Sequence, residues 1–309
     1  MKNINTGYDL RAGMAITLRQ LEIFEKVAVC GQVTIASNQL LLTQSAVSMA
    51  LAELERLAGA PLFERSGRRL FLNDRGRQLL PEAREVLARV HRIEQFLEES
   101  IGTPVGSLIV GASTTIGNYL LPALVGEFSR LYPGAKPLLQ VGNARQIEQG
   151  VEAGELDLGL IEGLQHRPSL AAVPWRRDEL VLIVGKDHPW ASLGQATPDM
   201  LQDAAWIMRE KGSGTREIFE TAMERAGVSY AVALELGHTE AIKKAVEAGL
   251  GVGCISRMAV QRELDQGWLY EVANPIDLQR ILLVVTRKND YRSALFKAFL
   301  DLLESKEDL

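Results

Sequence analysis

Four short turns in this chain concentrate the small hydroxyl and amide side chains that hold oxyanions: Ser113-Thr114-Thr115, Gly142-Asn143-Ala144, Gly212-Ser213-Gly214-Thr215 and Gly237-His238-Thr239. Each follows a short apolar run and precedes an amphipathic one, so each reads as the passage from a strand into a helix. A helix N-terminus offers unpaired backbone N–H groups and a partial positive charge, which favours an anion. Singly, such a turn is ordinary capping, since Ser, Thr and Asn are preferred there. Four together suggest a ligand site, because ligands of open α/β sheets sit beyond the C-terminal ends of the strands. Candidate ligand contacts are therefore Ser113, Thr114, Thr115, Asn143, Ser213, Gly214 and Thr215. His238 is either a ligand contact or a polar residue at a helix start. Glu162 ends an apolar strand, where a carboxylate must reach solvent or find a partner; it shapes the cleft or binds a neighbouring backbone. Arg209, Lys211 and Arg216 flank one turn and either add positive potential or are solvated.

No catalytic constellation competes. Ser113 is not in a G-x-S-x-G elbow, the 212–215 loop lacks the Gly-Lys-Ser/Thr of a Walker motif, and no His-acid pair stands at a motif spacing. His91, His166, His188 and His238 fit no metal-ligand spacing with each other or with Cys30 and Cys254. No metal, cofactor or enzymatic activity is expected. Cys30, among apolar neighbours, reads as a buried small hydrophobe rather than a redox switch.

A different chemistry is carried by the segment Gly31–Leu54. Gln44, Ser45 and Ser48 share one face of a helix capped by Thr43, while Ala46, Val47, Leu51 and Leu54 share the other. Small polar side chains at the N-terminal end of a capped helix, held by a short preceding helix, form the geometry of a helix-turn-helix that reads base edges. Thr34, on that preceding helix, joins the candidate DNA contacts. A hairpin follows, with Phe63-Glu64 on one side, Ser66-Gly67 at its tip and Leu70–Leu72 on the return, decorated by Arg65, Arg68 and Arg69. Net charge is −5, yet the eight arginines between Arg65 and Arg92 face only Asp74, Glu82 and Glu85. This local excess suits phosphate; alone, it would be a solvated helix face.

The elements that must position these residues follow from periodicity. Thr17 caps a helix whose apolar positions are Leu18, Leu21, Phe24, Val27 and Ala28. Helices over about 33–40 and 44–58 and the hairpin complete an all-α winged helix-turn-helix domain over 16–75, after an N-terminal extension, 1–15. Residues 76–100 predict one long helix, with Pro81 moving its regular part to a start near Leu80. Its apolar positions Leu79, Ala83, Val86, Val90, Ile93 and Leu97 repeat with spacings of four and three. This seven-residue seam pairs two copies of the helix or packs on its own domain; the small winged domain favours the first. Residues 101–106 have a hinge composition. Strands then alternate with helices, among them 107–112, 137–141, 156–163, 180–185, 204–208, 232–237, 252–256 and 281–286, with helices over 117–132, 144–153 and 291–304. About nine short strands predict an α/β domain with parallel strands, built as two Rossmann-like subdomains over about 107–176 with 278–309, and 177–277. A length of 309 residues, 47% hydrophobic and 24% charged, suits such a multi-domain globular chain. No apolar run reaches membrane-spanning length and residues 1–13 carry no signal-peptide core, so a cytoplasmic protein without membrane contact is expected.

The whole stretch 16–305 resembles the LysR-type transcriptional regulators. The resemblance rests on LRQLEIFEKV, TQSAVS at 43–48, PLFERSGRRLFLNDRGR at 61–77 and the seam-bearing helix. In the second half it rests on GASTTIGNYLLP, LDLGLIEG, REKGSGTRE and EAIKKAVEAGLGVGCIS. Within the family the chain is most similar to the branch of CysL-like and YeiE-like regulators. The resemblance implies a periplasmic-binding-protein type effector domain, a homodimer or homotetramer, binding to an interrupted inverted repeat in double-stranded promoter DNA, and RNA polymerase as a further partner. It also implies a small anionic effector, sulfite- or sulfate-like first and an organic acid next, held at Ser113, Thr115, Asn143, Ser213 and Thr215. Met49 and Ala50 depart from the polar or basic residues many members carry, which reduces the base contacts expected of the helix. Two other readings are a transport-type binding protein, opposed by the missing export signal and the winged domain, and an enzyme acting on a phosphorylated substrate, opposed by the missing base and metal ligands.

Overall fold

The computed structural model describes residues 16–67, 69–98, 104–288 and 292–306. The 1–15 extension, Arg68, the side chain of Leu97 and hinge residues 101–103 lie outside them. The chain divides after Ile93 into two compact units. Among the described residues no helix is long and apolar enough to cross a membrane.

The first unit is built on α1 (Leu18–Cys30), α2 (Val33–Gln39) and α3 (Gln44–Ala58), followed by β1 (Phe63–Ser66), β2 (Arg69–Leu72) and α4 (Asp74–Glu98). Thr17 caps α1 through a capping box with Gln20, and Gly31 ends the helix in the left-handed conformation. Leu21, Phe24 and Val27 of α1 meet Val47, Leu51 and Leu54 of α3 in one core, and Phe63 sets its ring edge-on to Phe24 at 5.5 Å. Gly76 is required by a close approach: a Cβ there would lie 2.2 Å from the Leu62 carbonyl oxygen.

Three readings of this unit change. The long helix starts at Asp74, not near Leu80, because Asn73 Oδ1 accepts the Gly76 N–H at 2.9 Å and fixes the first turn ahead of Pro81. Ala83 is 1% exposed within its own domain's core, against which Leu79, Leu80 and Leu87 also pack. Its place on a surface between two chains is therefore corrected: the small domain does cover the start of the helix. Val86 and Ile93 stay exposed and Val90 is half-buried. Cys30 is half-buried rather than buried, its thiol donating to Gln39 Oε1.

Leu41, between α2 and α3, is 93% exposed and holds φ +54°. A leucine in this conformation crowds its Cβ against the backbone without any packing in return. Leu41→Gly is expected to stabilise the domain by about 0.5–1 kcal/mol, net of glycine's extra chain entropy, seen as a higher melting temperature. An unchanged or lower value would contradict the strain.

The second unit opens with β3 (Gly106–Ser113), α5 (Thr114–Tyr119), α6 (Leu121–Leu131), β4 (Ala135–Gly142), α7 (Ala144–Ala153), β5 (Leu158–Glu162) and β6 (Leu170–Gly185). It continues through α8 (Pro189–Leu193), α9 (Pro198–Asp203), β7 (Ala205–Arg209), α10 (Gly214–Arg225), β8 (Ala231–Leu236), α11 (Thr239–Glu247) and β9 (Val252–Ser256). It closes with α12 (Arg257–Asp265), β10 (Leu269–Val272), β11 (Gln279–Arg287) and α13 (Ala294–Glu304). The strands run in the order β4-β3-β5-β11-β6-β9-β7-β8, with β10 also on β6.

The sheet is mixed, which corrects the all-parallel expectation. β4, β3 and β5 are parallel, as are β8, β7 and β9, but β11 runs antiparallel to β5 and β6, and β6 antiparallel to β9 and β10. The reason is β6 itself: residues 170–179 pair with β11 and residues 180–183 pair with β9, so one strand serves both halves. Each half has helices on both faces, with separate cores around Phe128 and Phe299, Ile147 and Val151, Trp206 and Phe219, and Ile242 and Val260. The helix expected over 117–132 is two, broken at Leu120 with Pro122 opening the second. Gly106, read as hinge, already pairs with Ala135 in the sheet.

Candidate effector cleft and nucleic-acid interface

In the first unit, α3 turns Gln44, Ser45, Ser48, Met49 and Ala52 outward, opposite the buried Val47, Leu51 and Leu54. Ala50 packs on the core, so only Met49 of the two departing residues reaches the open face. Thr43 Oγ1 accepts the Ala46 N–H at 3.2 Å and lies 3.0 Å from Ser45 Oγ, which fixes the first turn without burying it. Thr34 is exposed on α2. Arg65 and Arg69 flank the hairpin tip, facing Leu70 and Ser66 in the register. Both are exposed, with no ion pair to a described residue. Four further arginines of the basic stretch are engaged: Arg75 with the Ala58 carbonyl, Arg77 with Asp74 and the Leu72 carbonyl, Arg84 with Glu25 and Arg89 with Glu85.

In the second unit the parallel strands β4, β3 and β5 end side by side at Gly142, Ser113 and Glu162. Across from them lie Arg209, which ends β7, and the first turn of α10. The two halves are tied by Arg209 Nη2 donating to Thr114 Oγ1 (3.2 Å), Asn143 Nδ2 to Glu210 Oε1 (3.3 Å) and the Arg145 N–H to the Gly212 carbonyl (3.2 Å). Gly214 sits where a Cβ would lie 1.9 Å from the Glu162 carbonyl oxygen, so the loop's glycine is explained by this contact rather than by a phosphate. Ser113, Thr114, Thr115, Glu162, Ser213 and Thr215 are all buried and Asn143 half-buried. Ser113 Oγ and Glu162 Oε2 have no hydrogen-bond partner. A cavity of about 250 Å³ opens between the first turns of α7 and α10, lined by Arg145, His166, Lys211, Ser213 and Glu217 among others. His166 Nε2 spans it to Glu217 Oε1 at 2.8 Å.

His238 is not drawn into this cluster. It is exposed ahead of α11, and its flank is held instead by the Tyr119 hydroxyl donating to Glu240 Oε1 at 2.6 Å. Burial and that bond push the Tyr119 hydroxyl up to about 12. Burial alone would raise Glu210, but the hydrogen bonds and charge of Arg209, with Asn143, hold it below the usual carboxylate range. Burial drives the Cys254 thiol up to about 12, which makes it inert.

Sequence reasoning missed the central cation. Arg280, at the start of β11, is fully buried with Nε 2.6 Å from Asp178 Oδ2, Nη1 donating to Thr215 Oγ1 at 2.9 Å, and Nη1 4.0 Å from Glu162 Oε1. Asp178 Oδ1 accepts from Ser256 Oγ at 2.8 Å. The available signal was a charged residue directly preceding the apolar run ILLVV. Among the described residues no group of acids, histidines and cysteines is placed to hold a metal.

A winged helix-turn-helix followed by a two-part α/β binding unit defines a ligand-responsive DNA-binding regulator. Residues 18–77 match the bacterial regulatory helix-turn-helix protein family of lysR type and residues 102–307 match the LysR substrate binding domain, so the chain belongs to the LysR family of transcriptional regulators. It is a regulator that binds DNA and carries an effector domain, not an enzyme. It is 42% identical over 289 residues to the HTH-type transcriptional regulator YeiE of Escherichia coli (strain K12), covering 93% of this chain and 97% of that one. The regulatory domain of CcmR from Synechocystis PCC6803, solved in complex with 2-PG, is 33% identical, covers 66% of this chain and 98% of that one, and superposes with a TM-score of 0.61. Full-length CbnR, solved in complex with its target DNA, has the same fold at 19% identity and a TM-score of 0.68, covering 94% of this chain and 99% of that one.

Proposed function

We propose that this regulator senses a small anion at Ser113, Thr114, Thr115, Asn143, Ser213 and Thr215, between the two halves of its effector domain. The observation that carries the reading is the buried, unpartnered Ser113 hydroxyl among helix N-terminal turns that converge from both halves. Arg209 and Arg280 already face carboxylates, so hydroxyls and backbone N–H groups supply the attraction for the ligand. A sulfite- or sulfate-like oxyanion leads and an organic acid follows; the complex of CcmR with 2-PG supports a small molecule in the corresponding domain of a relative. Thermal-shift titration of the protein with sulfite, sulfate, thiosulfate and central organic acids tests this. Stabilisation by one of these anions is expected, and a response confined to apolar or cationic compounds would overturn it.

On the DNA side, Gln44, Ser45 and Ser48 read base edges, with Thr34 and Thr43 beside them and Arg65, Arg68 and Arg69 on phosphate or in a minor groove. Ser48→Ala is expected to weaken specific binding and Gln44→Ala to blunt base discrimination, each by about 1–3 kcal/mol at the affected position. Unchanged footprints for both would count against the assignment. Effector binding biases the spacing of paired winged domains through the 101–106 segment, and does so only by its difference in affinity for the two arrangements. A homodimer or homotetramer paired along Val86, Val90, Ile93 and Leu97, residence in the cytoplasm with the DNA, and contact with RNA polymerase complete the proposal.

A further inference from the structure

We infer that Met49 is a specificity-determining residue that reads the C5-methyl group of a thymine in each half-site; this rests on the DNA-reading role of α3 given above. Met49 is 72% exposed on the same face as Gln44, Ser45 and Ser48, one turn beyond Ser45. Ala52, one turn further, is exposed beside it. The face from Gln44 to Ala52 holds no cation, so it lacks the Arg or Lys that pairs with guanine O6 and N7. The nearest acid, Glu53, is held by Arg56 in two hydrogen bonds of 2.6 and 2.7 Å, which removes it as an acceptor for cytosine N4. What remains is an amide suited to adenine, two adaptable hydroxyls, the short Ala52 methyl and the longer, flexible apolar side chain of Met49. The thymine methyl is the apolar group a major groove presents, and a thioether side chain adapts its shape to it.

The test compares duplexes that differ by that methyl alone. Preferred sites are first selected from a random duplex pool with the full-length protein, and each thymine is then replaced in turn by deoxyuridine. At one thymine per half-site the wild type is expected to lose about fourfold in affinity, the equivalent of roughly 0.8 kcal/mol for one buried methyl. Met49→Ala should bind the thymine and uracil duplexes alike, while Met49→Leu should restore the difference. Wild-type indifference to every replacement, or full discrimination retained by Met49→Ala, would overturn the inference. Selection that yields no preferred sequence would instead sink the DNA-reading proposal, and this inference with it.

Discussion

Arg280→Met is expected to destabilise the effector unit by about 3–5 kcal/mol, read from urea denaturation. The guanidinium stands fully buried between Asp178 and Glu162, at 2.6 and 4.0 Å, and donates to Thr215. Methionine fills much of the same volume, so lost packing contributes little. The cost arises because a buried carboxylate loses its cation, and desolvation of the unpaired charge is not repaid. Asp178 keeps only the Ser256 hydroxyl, and Glu162 Oε2 has no partner even with the arginine present. Adding Asp178→Leu to Arg280→Met should recover part of the loss, since it removes the charge that the first change orphaned. A cost below 1 kcal/mol at neutral pH would show that water or a rearranged side chain reaches the carboxylates. Because Thr215 opens α10 at the cleft, the single variant should also lose its thermal response to the effector anion.

The contrast between this cluster and the winged domain explains how much of the molecule its sequence discloses. The first unit is local: a capped helix, a turn, a second capped helix and a hairpin are encoded by neighbours in the chain, and Thr17, Thr43 and the hairpin all stand where periodicity puts them. Even there, the seam of α4 misled at Ala83, because a 4-3 spacing records an apolar stripe and not what covers it. In the second unit the apolar strands were legible, but their directions were not. The stretch 170–179 carries Pro174 and four charged residues and gives no strand signal, yet it pairs with β11 through nine register positions. Tertiary pairing decided it. Arg280 lies 65 residues beyond Thr215 and 102 beyond Asp178, so no spacing rule could join them. The turns at 113–115 and 212–215 were visible because helix starts have a residue preference of their own. The close approach of Gly214 to Glu162 was not, since it depends on two strands meeting.

Replacing Arg65 and Arg69 together by glutamine is expected to weaken promoter binding by roughly a thousandfold at 0.15 M salt, with little change in sequence preference. Counterion release sets the size of the loss: a dimer with both wings on phosphate loses four contacts, which flattens the dependence of log K on log salt by about 3.6. These two residues carry the effect because they are the exposed, unengaged arginines of the basic stretch among the described ones. Arg75, Arg77, Arg84 and Arg89 are already committed to carbonyl and carboxylate oxygens of the protein itself. Replacing those four should therefore alter stability more than the salt slope. Arg65 and Arg69 stand on adjacent strands of a two-stranded hairpin, so their removal leaves the core around Phe24, Phe63 and Leu70 intact. Equal slopes for wild type and variant, measured from about 0.05 to about 0.3 M salt, would mean that the wing does not touch the backbone. The positive excess in an otherwise acidic chain would then belong to the solvated surface after all.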